Sequence, residues 1–424
     1  MTGTVTTYDA ARVHRRAVIT LVVAQAVGAI GITIGVATAS LLARDVSGSE
    51  SQAGLAQTAQ VLGAAVAAYA LARVMSVRGR RFGQASGLAL GAAGSALVVV
   101  AGVVGSMVLL LVGCVLMGAT SATNTLARYA ATDLAPVASR ARSLSLVVWA
   151  ATVGAVVGPN LSGPSGALAG VLDIPGLTGP FALSAIAMLL ASMTVAVFMR
   201  PDPLLVARAL AGAAEAAPKG TSWGRAVAAL RASPALAAAV LGLASAHTVM
   251  VSVMIMTPLH MEHGGAELRV IGFVISGHVL GMFAFAPVMG WLADRWGRSA
   301  MLFVGAGLQL LSLLLSGSSP EGSSWQISVG LFLLGLGWSS ATVAASATIA
   351  DLAPLESRTD VQGVADMAMW LTAAGGGALS GLIVAQWGYP ALNGFSAVLA
   401  GGVVLAAVVT AGGRLPAEPT DSDA

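Results

Sequence analysis

Four of the five histidines and five of the sixteen methionines fall between residues 247 and 282: His247, His260, His263 and His278, with Met250, Met254, Met256, Met261 and Met282. Met250 with Met254, and His278 with Met282, are each four residues apart, the spacing that puts side chains on one face of a helix. Thioethers are weak ligands for zinc and negligible ones for magnesium or calcium, but they suit monovalent copper, with imidazole as a compatible partner. Neutral ligands also hold such an ion less tightly than paired thiolates, which suits a site that must release what it binds. A second group, His260, Met261 and His263, is placed to collect the same ion at an outer mouth. Methionine stripes at helical spacing are also ordinary packing, and a single membrane histidine often bonds a neighbouring helix. Spacing alone therefore leaves ion binding and core filling both open, and His247, Met256 and Met261 are assigned to packing or an auxiliary role.

The elements that must carry these residues are membrane spans. The 424 residues are 57% apolar and 9% charged, with a single lysine, Lys219, far from the balance of a soluble domain. Runs of about 20 apolar residues, the length a hydrocarbon core requires, recur twelve times. In the first half they cover roughly 17–43, 53–75, 82–104, 106–128, 143–163 and 179–199. In the second they cover roughly 234–259, 268–292, 299–316, 325–349, 361–385 and 389–412. The fold class expected is an all-α membrane protein of two pseudo-symmetric six-helix bundles, residues 1–199 and 234–412, joined by a cytoplasmic linker, 200–233, and followed by a tail, 413–424. Within the linker, Trp223 to Arg231 reads as an amphipathic segment suited to the membrane surface. The first apolar run is too long for a signal-peptide core and is expected to stay in the mature chain. With the N-terminus inside, 19 of the 21 Lys and Arg residues fall on the cytoplasmic side, leaving only Arg44 and Arg269 outside. Both termini are thus expected in the cytoplasm of a bacterial-type inner membrane, with the lipid bilayer as main partner, no nucleic acid, and no need for more than a monomer.

An internal repeat supports the two halves. Asp133-Leu134-Ala135-Pro136 recurs as Asp351-Leu352-Ala353-Pro354, and the same shift of 218 superposes Gly79-Arg80 on Gly297-Arg298. Transporters built from such repeats hold substrate between the halves near the midplane. Asp366, about two turns into the eleventh span, is the clearest intramembrane carboxylate, suited to relay a proton or to pair with a base such as Arg358. Arg128 and Asp133 are expected in structural ion pairs. An enzyme is not expected: no Gly-x-x-x-x-Gly-Lys-[Ser/Thr] loop exists, and His-Glu-x-x-His is absent. No resident cofactor is called for, copper being cargo. The single cysteine, Cys114, excludes an intramolecular disulfide and any cysteine-based metal cluster.

Gly290-Trp291-Leu292-Ala293-Asp294-Arg295-Trp296-Gly297-Arg298 resembles the signature loop of the major facilitator superfamily. The resemblance implies a charge network on the cytoplasmic side, with Asp294, Arg295 and Arg298 latching one conformation. The first-half counterpart is degraded, with Ser76 where Asp294 stands and Val77 where Arg295 stands. Gly154-Ala155-Val156-Val157-Gly158-Pro159 is similar to a motif of family drug exporters, yet the arginine those exporters carry four residues before a fourth-helix glycine is replaced by Cys114. Met-x-x-x-Met followed by His-x-x-x-Met, with 24 residues from Met254 to His278, resembles the motif pair of bacterial CcoA-like copper importers. That resemblance implies copper ligation by Met250, Met254, His278 and Met282, and copper import by alternating access. Those importers are associated with functional cysteines, so a thiol relay is not expected here. The alternative is proton-coupled transport of an apolar or aromatic small molecule, by drug efflux or riboflavin-type uptake.

Overall fold

Serine side chains open several of the apolar runs by accepting a first-turn amide that has no partner within its own helix: Ser106 from Leu109, Ser233 from Leu236 and Ser324 from Ile327. The structure, a computed structural model, describes residues 9–49, 52–212, 220–322 and 324–412. The expected tail, 413–424, and linker residues 213–219, which include Lys219, lie outside the described residues. Among the described residues, ten helical stretches are long and apolar enough to cross a membrane, and two of them are each interrupted by a glycine with non-helical backbone, Gly79 and Gly388, which gives twelve spans.

In the first bundle these are α1 (Ala10–Ser47), α2 (53–78), α3 (80–104), α4 (Met107–Ala130), α5 (Arg140–Val157) with its continuation Ser162–Leu172, and α6 (Gly179–Phe198). Two linker helices follow, α7 (Pro203–Leu210) and α8 (Ser222–Ala232). The second bundle contains α9 (Pro234–His263), α10 (Leu268–Phe283) with α11 (Ala286–Trp296) as one broken crossing, α12 (Arg298–Gly317), α13 (Trp325–Leu352), α14 (358–387) and α15 (389–412). Gly79 (φ 86°) and Gly297 (φ 95°), one repeat apart, turn the chain at the face that carries the linker. A side chain at such a φ is strained, so glycine is the residue that makes this turn without cost.

Water is absent from a bilayer core, so the hydrophobic effect cannot drive helices together there, and close approach of small residues does so instead. At Gly63 of α2, an added Cβ would lie 2.2 Å from the Val115 carbonyl oxygen of α4. Its repeat equivalent, Gly281 of α10, would meet the Phe332 carbonyl of α13 at 2.6 Å. The linker segment expected to lie along the membrane surface instead docks on protein: Ala226 is fully buried, and Trp223 meets the ring of Tyr69 edge-on at 6.1 Å.

Gly63→Val drives a side chain into the α4 backbone and is expected to destabilise the bundle by about 1–3 kcal/mol or more, read as a lowered Tm in detergent. Gly166→Ala, where nothing lies within 4 Å, is the control and leaves Tm unchanged or raised. Equal Tm values for the two variants would contradict the packing described.

Candidate functional site

The soft side chains lie in the second bundle. Met250 of α9 and Met282 of α10 are buried in one contiguous apolar cluster with Leu331 and Trp338 of α13, against which Met254 and Met256 pack. His278 is fully buried, and its Nδ1 lies 2.8 Å from the Leu331 carbonyl oxygen. A carbonyl only accepts, so Nδ1 carries the proton and Nε2 is left with a lone pair. Nε2 is buried and has no hydrogen-bond partner. A backbone carbonyl holding one ring nitrogen while the other stays open is the arrangement metal-binding histidines adopt. One expectation needs correction. Reading α9 and α10 as antiparallel neighbours set their ligands face to face, whereas α10 packs mainly on α13, with Gly281 and Gly335 permitting the approach.

His247, assigned from sequence to an auxiliary role, is part of an aromatic group. Trp338 donates its Nε1–H to His247 Nδ1 at 3.0 Å, so the proton of the neutral ring is on Nε2, which is buried without a partner. The Trp370 ring of α14 stands 5.3 Å from His247 in a T-shaped arrangement, and Phe283 meets Trp338 at 5.7 Å. Spacing gave no signal for Trp338 or Trp370, because each comes from a different helix.

The residues of the expected outer-mouth group differ in exposure and partners. His260 stacks on Tyr389 at 4.1 Å with Nε2 against Ser319 Oγ, Met261 is fully buried in the core, and His263 is exposed at the end of α9. Among the described residues, no three or more His, Cys, Asp or Glu side chains group as metal ligands. A metal in the second bundle would therefore rest on thioethers and imidazole.

The second constellation is the charged seam between the bundles. Arg80 pairs with Asp133 (2.8 Å), and one repeat later Arg298 pairs with Asp351 (3.2 Å). Each pair joins its neighbour bundle: Arg80 donates to Gln362 at 2.6 Å, and Asp351 accepts from Arg140 at 3.0 Å. Asp294 accepts the backbone amides of Ala141 (3.1 Å) and Arg142 (2.9 Å) at the start of α5, where the helix dipole favours an anion. Arg298 braces Asp294 at 2.7 Å, whereas Arg295 lies outside this network, its guanidinium 5.4 Å above the Trp291 ring. Deeper in, Arg128 of α4 bonds Asp366 (2.5 Å) and Ser346 (2.9 Å) of the second bundle. Arg358, read from sequence as one base that Asp366 could pair with in place of relaying a proton, sits instead near Asp133 and Asp351. Arg128 and Ser346 are one repeat apart, a signal the repeat held but spacing of charges did not reveal. Among the described residues, these hydrogen bonds between the bundles, some from side chain to side chain and some to backbone, lie at the linker end and join the bundles there.

The family model described as Major Facilitator Superfamily matches residues 19–268 and 249–423. The uncharacterized MFS-type transporter YddS of Bacillus subtilis is 34% identical over 388 residues, covering 92% of this chain and 89% of that protein. The riboflavin transporter RfnT of Brucella anthropi is 26% identical over 386 residues, covering 89% of this chain and 92% of that protein. Among solved structures, the human organic anion transporter MFSD10 superposes with a TM-score of 0.70 at 16% identity, over 94% of this chain and 99% of that one, a likeness of fold.

Removing one member of a buried ion pair strands the other, at a cost of about 3–5 kcal/mol, whereas replacing both by apolar groups is often neutral. Asp366→Asn is thus expected to lower Tm strongly in detergent and the double variant Arg128→Met/Asp366→Leu to recover most of the loss. A double variant as unstable as the single one would contradict the pairing.

Proposed function

We propose, from the premise that the chain belongs to the major facilitator superfamily and is a secondary transporter rather than an enzyme, that its cargo is monovalent copper, imported by alternating access. The observation that carries this reading is His278, buried, with one ring nitrogen committed to a backbone carbonyl and the other open, in a bundle core that also holds Met250 and Met282. Met250, Met254, His278 and Met282 are the ligands proposed. All are neutral, so the ion would be held by soft donors without the tight grip of thiolates. His260 and Met261 are buried whereas His263 is exposed, and the three are not proposed as one capture site.

Orientation follows from the basic residues, which place the linker face in the cytoplasm. On this reading the bonded seam faces inward, the arrangement proposed for a transporter that loads from outside. Inward opening requires Arg128 to leave Asp366 and Asp294 to leave the start of α5. Asp366 is proposed as the coupling carboxylate: fully buried, it holds Arg128 across the seam only while ionised. A proton taken by Asp366 removes that attraction and lowers the barrier to opening.

A second reading, uptake of a flat aromatic molecule, is favoured by the ring group of His247, Trp338, Trp370 and Phe283 and by the likeness to a riboflavin transporter. Aromatic faces stack such a cargo, and the Nε2–H of His247 is a donor without a partner.

The two readings separate in one experiment on cells expressing the chain. Copper import predicts uptake of labelled copper that falls at least about tenfold, the equivalent of 1.4 kcal/mol, in Met250→Ala and in His278→Ala, with both variants inserted at normal levels. Wild-type copper uptake in both variants would sink the copper reading. Saturable riboflavin uptake lost in Trp370→Ala, without a copper response, would establish the second.

A further inference from the structure

We infer that the linker carries the gate residues that the first half has lost, so that inner closure is held by the α11 loop on one side of the seam and by α7 and α8 on the other. This holds whichever cargo the protein moves.

In the second half, Asp294 reaches across to the amides of Ala141 and Arg142 at the start of α5. A shift of one repeat predicts a carboxylate at position 76 reaching residues 359 and 360 at the start of α14. Position 76 is Ser76, whose hydroxyl donates to the Arg73 carbonyl of its own turn at 2.7 Å and stays within α2. The start of α14 is engaged from the linker instead. Asp360 is fully buried, and its carboxylate accepts from the Ser222 hydroxyl and from Arg225, whose Nη2 lies at 2.7 Å. The same helix α8 presents Trp223 to Tyr69 of α2, so it rests on both bundles at once.

Helix α7 packs on the first bundle, beside the degraded loop. Asp202 caps α7 through the amides of Leu204 and Leu205 and also accepts the Arg81 amide at 2.7 Å. Its carboxylate occupies the space beside Gly79 that any side chain there would enter. Arg208 donates to the Ser76 carbonyl at 2.7 Å, while its Nη2 is buried without a hydrogen-bond partner. An unsatisfied guanidinium nitrogen beside the position where the acid is missing marks the vacated latch. The physical consequence concerns motion. When the bundles rock apart at the linker face, α8 leaves Tyr69 and stays on the second bundle, where its bonds to Asp360 hold it. Ser222, Arg225 and Asp360 thus act by fixing α8 where Trp223 meets Tyr69, and loosening them weakens the closed linker face.

The test reads the accessibility of a single thiol in the purified full chain. Ser145→Cys in a Cys114→Ala background places a near-isosteric thiol, fully buried, where α5 meets Gly290 of α11 across the seam. The native Cys114, buried in the first-bundle core, reports loss of folding in a parallel chain. The expected result is that Arg225→Ala and Asp360→Asn each raise maleimide labelling at the Ser145→Cys reporter at least about fivefold, the lower range of coupling between sites in switching proteins. Labelling of Cys114 stays at the parent rate. Adding Ser76→Asp to Asp360→Asn restores the slow rate, because the new carboxylate meets Arg208 and the start of α14 as Asp294 meets Arg298 and the start of α5. The inference is overturned by unchanged labelling in both single variants, by a parallel rise at Cys114, or by failure of Ser76→Asp to reverse the effect.

Discussion

A guanidinium and a carboxylate buried between two helical bundles each need the other, since separating them inside a medium without water leaves two uncompensated charges. Arg128 and Asp366 stand in that relation across the seam, and the flanking pairs Arg80–Asp133 and Arg298–Asp351 repeat it nearer the surface. The outer two pairs are internal to their own bundles and survive rocking as units. The Arg128–Asp366 pair is not, so it is one of the bonds, with Arg140–Asp351 and Asp294 on the start of α5, that must break for the linker face to open. A proton is the smallest change that weakens such a bond, which is the ground for proposing coupling at Asp366.

Much of this arrangement could be read directly from the residues. Twelve apolar runs of spanning length, and a repeat carrying Gly-Arg and Asp-Leu-Ala-Pro at one offset, imply two like bundles, whereas the pairing of each repeated Arg with its repeated Asp is seen only in the structure. Local chemistry was legible because a helix face and a membrane thickness are properties of a short stretch. The partner of Asp366 was not. Arg358 lies eight residues earlier on the same helix, which at about 1.5 Å per residue is some 12 Å along the axis, beyond hydrogen-bond reach. The actual partner comes from α4, 238 residues away in sequence. The direction of His278 was hidden for a similar reason: sequence fixes the face it shares with Met282 but not that α10 leans on α13. The linker latch was invisible because it replaces a missing residue with residues 135 or more positions from Asp360.

Two features of the second bundle bear on cargo, and they differ in chemistry. The His278 ring, with thioethers in the same core, offers soft neutral donors. The His247 group offers aromatic faces and an unpaired N–H. They are connected through Trp338, which belongs to the methionine-bearing cluster and also holds His247. Occupation of either would therefore be felt by the other, and both lie in the bundle whose charged loop closes the inner face.

The central claim is that soft donors of the second bundle bind the cargo, and the most direct measurement is copper X-ray absorption on purified protein loaded with one equivalent of monovalent copper. The account predicts a first shell of thioether sulfur with imidazole nitrogen, the nitrogen contribution disappearing in His278→Ala. A shell of oxygen donors alone, or a spectrum unchanged by the His278→Ala substitution, would contradict it.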